Sequence, residues 1–88
     1  MPRVPKKTKV VHKKLGREQA FGQATIEHNK IEIDERLTTY RYLLILTHEK
    51  LHILFPDWSE TKVRQVASQL SKFYWHNNFR WVDLPKRK

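Results

Sequence analysis

The run from Tyr40 to Phe55 (YRYLLILTHEKLHILF) is apolar on almost every side and stops at Pro56. Proline has no N–H to continue a helix and pushes the residue before it toward extended geometry, so Pro56 sets the end of a helix at Phe55. Tyr40, Leu43, Leu44, Thr47, Leu51, Leu54 and Phe55 fall within one broad arc and are the expected core face. Leu46 and Ile53 fall on another side. A helix apolar nearly all round needs cover on two flanks, which asks for a sheet against one and a second helix against the other.

Polar residues interrupt this helix at His48-Glu49-Lys50-Leu51-His52. At about 100° of rotation per residue, positions four apart share a face, so His48 and His52 stack one turn apart at the border of the core. Two imidazoles so placed can hold one Zn²⁺, and Glu49 lies beside that face, positioned to take a proton from water without being a ligand. The plainer reading makes the two histidines polar residues on the outer face of a core helix.

The rest of the chain supplies the two covers. Ala20, Gly22, Ala24 and Ile26 alternate with Phe21, Gln23, Thr25 and Glu27, and Lys30 to Asp34 alternates again after the turn signal His28-Asn29. This pattern predicts a β-hairpin with Ile26, Ile31 and Ile33 toward the core. Val10-Val11 within Lys9 to Leu15 can form a further short strand. Asp34 or Thr38 is the expected cap of the motif helix. Beyond Pro56 a second helix is expected from Trp58 or Ser59 to Asn77, with Val63, Val66, Ala67, Leu70, Phe73 and Tyr74 as its apolar stripe. Phe79 to Leu84 is a final strand or extended tail. The architecture that follows is α+β: a small antiparallel sheet, the motif helix packed on it, and a second helix antiparallel to the first.

The H-E-x-x-H arrangement resembles the zincin metallopeptidases. The longer run His48 to Glu60 (HEKLHILFPDWSE) is similar to small bacterial and bacteriophage relatives of the minimal gluzincin and SprT-like type, over roughly Gly22 to Tyr74. The resemblance implies a zinc-dependent peptidase acting on peptide or protein, with His48 and His52 as metal ligands and Glu49 as general base. It also implies an edge strand along the cleft that pairs with extended substrate, a part that Ala20 to Glu27 can take. An oxyanion-stabilising side chain is implied as well, with Tyr42, His76 and Arg80 as candidates.

A catalytic zinc keeps three protein ligands and one open position. With no cysteine in the chain, the third ligand must be a carboxylate or a distant histidine. Glu60 is the expected ligand, because it lies three before Val63 and seven before Ala67 and so heads the stripe facing the motif helix. Asp57 is the alternative, and Asp57-x-x-Glu60 also reads as a capping box. His12 and His28 read as surface histidines.

With 88 residues the chain makes one domain with one small core, for which a bound metal is a plausible source of stability. The expected division is a basic arm over 1–14, the zincin-like domain over 15–84 and a basic tail over 85–88. The lack of cysteine excludes disulfides and thiolate zinc sites and suits a soluble, cytoplasmic chain. No signal peptide or membrane span is written here. The formal charge of +9 collects at both ends, which suits non-specific attraction to nucleic-acid phosphates. Two other classes of function stand beside the enzyme. One is a nucleic-acid-associated protein with a structural zinc and with Trp58, Trp75 and Trp81 as stacking surfaces; the other is a peptidase-like scaffold that binds a partner protein without cleaving it.

Overall fold

The computed structural model describes residues 7–15, 21–37 and 39–80. The alternation Lys-Ile-Glu-Ile-Asp becomes β3 (Lys30–Asp34), the central strand of three. Ile31 and Ile33 are buried on its inner face, where Leu37 and Tyr42 join them. Each such side chain contributes roughly 1.5–3 kcal/mol by leaving water.

β2 (Gly22–Thr25) pairs antiparallel with β3, Gly22 opposite Ile33 and Thr25 opposite Lys30, so the expected hairpin forms. Its loop is longer than the His28-Asn29 signal implied. Ile26–His28 make one 3₁₀ turn, and Asn29 follows in the left-handed region at φ 48°. Asn adopts that region more readily than most residues; here its Oδ1 also accepts from the hydroxyl of Thr8, distant in sequence, at 2.7 Å. The strand thus ends at Thr25, and Ile26, expected in the core, is exposed.

β1 (Lys9–Lys13) lies on the other edge of β3 and runs parallel to it, Lys9 opposite Lys30 and Lys13 opposite Asp34. The sheet is therefore mixed, in the order β1-β3-β2, where an antiparallel one was expected. The cause is insertion. β3 follows β1 after two reversals of direction, so it points as β1 does, and it enters between β1 and β2. The basic segment 1–14 is consequently not an arm throughout, since Lys9–Lys13 belong to the sheet. Residues 1–6 and 81–88, which include most of the expected final strand and the basic tail, lie outside the described residues, as do Ala20 and Thr38.

Asp34 does not cap a helix. Its carboxylate accepts from the Arg36 amide at 2.9 Å and from Arg36 Nε at 2.8 Å. The Arg36 guanidinium, with help from backbone donors, holds this buried carboxyl far below the usual range. The turn so tied leads into α1 (Thr39–Leu54), which ends before Pro56 as expected.

α1 uses its faces differently from the expected arc. Tyr42, Ile45, Leu46 and Ile53 pack on the sheet, while Leu44 and Leu51 face α2 (Glu60–His76). Leu54 and Phe55 stay exposed, Phe55 stacking on Trp58 at 4.1 Å. On a helix apolar all round, hydropathy fixes burial but not phase.

α2 folds back antiparallel to α1. Ser59 caps it, its hydroxyl accepting from the Lys62 amide at 3.1 Å, so the capping box of Asp57 and Glu60 does not form. Val63, Ala67 and Ser71 are its buried line, with Val66 and Leu70 beside them. Phe73 and Tyr74, expected on the stripe, are exposed. At this end Trp75 is the residue that meets α1, edge-on to Tyr40 at 5.6 Å. Among the described residues no helix is long and apolar enough to cross a membrane.

Candidate metal centre

Pro56 and the Ser59 cap decide where α2 begins, and that start puts Glu60 on the first turn facing the last two turns of α1. His48 Nε2 lies 3.0 Å from Glu60 Oε2, and His52 Nε2 lies 2.9 Å from Glu60 Oε1. The two Nε2 atoms are 3.2 Å apart. All three side chains expected to bind metal therefore converge at one point. Asp57, the alternative ligand, is not in this group, and neither are His12 and His28.

With Glu60 ionised and both imidazoles neutral, protons alone do not satisfy the triangle. If both Nε2 atoms carry hydrogen to reach the carboxylate, they face each other N–H to N–H. If one lacks hydrogen, its lone pair faces a carboxylate oxygen. No arrangement of two neutral imidazoles and an ionised carboxylate satisfies all three contacts. A shared cation would. Ligand atoms on a tetrahedral zinc with bonds of about 2.05 Å lie about 3.3 Å apart, close to the spacings here, and two His with one Glu is a zinc donor set. Burial pushes His48 toward its neutral form, against the attraction of Glu60. Neutral imidazole is the ligating form.

Glu49 points into the same cavity, of about 540 Å³, which His48, His52, Glu60 and Arg64 also line. Burial raises its pKa; the positive side of His52 opposes this and the charge of Glu60 adds to it. The cavity is closed on one side by Phe21 and Gly22. A Cβ on Gly22 would lie 2.7 Å from Ile45 Cγ2 and 3.3 Å from Glu49 Cγ, so the glycine is what lets β2 approach α1 beside the motif. Among the described residues β2 is an edge strand, next to β3 on one side only.

The three candidates for stabilising an oxyanion are elsewhere. Tyr42 is buried in the sheet core, its hydroxyl 2.6 Å from His12 Nε2. His76 and Arg80 follow Glu60 by four turns or more, about 24 Å along the helix axis. In their place stands Arg64, which sequence reading passed over; its Nη2 lies 3.5 Å from Glu60 Oε2. The signal was present, because Arg64 is four residues after Glu60 and shares its face. Compared with known proteins, the chain matches no family model, no characterised protein and no solved structure.

Proposed function

We propose that this chain is a zinc-dependent peptidase of the small zincin type, with His48, His52 and Glu60 as metal ligands and Glu49 as general base. The observation that carries this is the convergence of the three donors at 2.9–3.2 Å in a cavity that Glu49 also lines. Bound there, zinc would act as a Lewis acid and lower the pKa of water toward neutrality.

The chain's own groups do the remaining work. Glu49, made more basic by burial, accepts a proton from the attacking water and returns it to the leaving amine. Arg64 brings a permanent positive charge to the cavity wall, where negative charge develops on the carbonyl oxygen. The outer edge of β2, unpaired among the described residues, offers main-chain groups to an extended peptide beside Glu49. A structural zinc is the weaker alternative, since structural sites are usually closed by four protein ligands. Among the described residues the group has three.

The test uses purified protein loaded with one equivalent of zinc and a quenched-fluorescent peptide library. Hydrolysis is expected, and Glu49→Gln is expected to abolish it while keeping the zinc. A wild-type protein that takes up no zinc, or a Glu49→Gln variant that still cleaves, overturns the proposal.

A further inference from the structure

At the opposite end of α2 from Glu60 the rings of Phe73, Tyr74 and Phe79 stand together on the surface. Phe73 is 61% and Phe79 60% exposed, and each lies about 5.5 Å or less from the Tyr74 ring. Exposed aromatic rings in contact are costly in water and invite a flat apolar partner. Beside them the Arg80 guanidinium lies 3.5 Å over the Trp75 ring, held by a bond from Nη1 to the Trp75 carbonyl at 2.9 Å. Lys72 and His76 line an adjoining hollow with Tyr40 and Trp75.

Charge decides the kind of partner. From Val66 through Arg80 the sequence has no Asp or Glu, while Lys72 and Arg80 are cationic, in a chain of formal charge +9. A second copy would bring the same positive charge against itself. An apolar protein surface would have to strip water from Lys72 and Arg80 without compensation. A polyanion gains from both features, releasing counterions at the cations and placing flat groups on the rings.

We infer that this surface binds single-stranded nucleic acid, with bases stacked on Phe73 and Phe79 and phosphates at Lys72 and Arg80. Single strands are required because a duplex keeps its base faces stacked on one another. Arg80 and His76, which lie too far from the metal centre to act there, belong to this surface. It is separate from the zinc centre and does not depend on peptidase activity.

The test is fluorescence anisotropy of the full chain with labelled oligothymidylate and with a duplex of equal length, across a salt series. Tighter binding to the single strand is expected. The double variant Phe73→Leu/Phe79→Leu keeps apolar bulk and removes the rings, and should weaken single-strand binding by about tenfold or more at an unchanged salt slope. Lys72→Gln/Arg80→Gln should instead flatten the slope by roughly 0.7 per charge removed. The inference is overturned by absence of binding at low salt, by equal binding of duplex and single strand, or by ring variants that bind as the parent does. Self-association in sedimentation that is lost in the ring variant, without change in anisotropy, would assign the surface to a second copy and overturn it as well.

Discussion

Gly22→Ala probes the contact that brings the edge strand to the motif helix. The added methyl would sit 2.7 Å from Ile45 Cγ2, against about 3.5–4.0 Å for an ordinary carbon contact, so β2 and α1 must part by roughly 1 Å. Ile45 is branched at Cβ and has few rotamers to escape into. Overpacking of this kind costs about 1–3 kcal/mol. The substitution also restricts the unfolded chain, which offsets about 0.4–1 kcal/mol. The net loss is about 1–2 kcal/mol, or roughly 5–15 °C in Tm for a domain of this size. Because the same methyl would lie 3.3 Å from Glu49 Cγ, hydrolysis should fall further than the folded fraction does, at unchanged zinc content. Thermal unfolding of Gly22→Ala, Ile45→Ala and the double variant completes a cycle. The glycine change should be nearly free where Ile45 is already truncated, giving a favourable coupling of about 1–2 kcal/mol. Additivity within about 0.5 kcal/mol would refute the steric account.

The remaining predictions concern the ligands, a buried hydroxyl and a carboxylate. In a zinc titration Glu60→Gln should weaken affinity by about tenfold or more, and Asp57→Asn should leave affinity and stability within about 0.5 kcal/mol of the parent, since Ser59 holds the helix cap; the reverse ranking would move the ligand to Asp57. Ser71 is fully buried and its hydroxyl finds no partner among the described residues, so Ser71→Ala should raise stability by about 0.5–1.5 kcal/mol in chemical denaturation. Asp34 has its folded pKa depressed by Arg36, so its stabilisation is present above its ordinary value near 3.8 and is lost as pH falls below that value. Asp34→Asn should therefore lower Tm at pH 7, and the gap from the parent should narrow progressively as pH falls below 3.8; a constant difference between pH 7 and pH 2 would show that the Arg36 pair is not responsible.

Local signals carried most of the fold. Pro56 ended α1, and Asn29 marked the hairpin turn. The i, i+4 spacing of His48 and His52, with the phase of Glu60, placed the three donors together. What sequence did not disclose depends on partners distant in the chain. The strand KVVHK has two adjacent apolar residues and no alternation, so neither its pairing with Lys30–Asp34 nor its direction is encoded locally. The phase of α1 was hidden because Leu43, Leu46 and Leu54 are equally apolar although only some face the interior. Phe73 and Tyr74 fit the stripe of α2 by spacing, yet at that end the contact with α1 passes through Trp75 and Tyr40. Arg64 is hard to single out in the sequence because a cation four residues after Glu60 reads equally as an ordinary solvent-facing helical pair.

The donors of the metal group all lie between His48 and Glu60, on two helices joined by one short turn, whereas the sheet joins residues 9–13 to residues 30–34. Contacts near in sequence close at a smaller entropic cost than distant ones and tend to form sooner. The helical pair and its three donors, like the β2–β3 hairpin, can thus organise before β1 finds its register on β3. On the proposed reading an ion bound by the helical pair would act while the chain is still assembling, so zinc should chiefly hasten folding and slow unfolding less than the late pairing of β1 does.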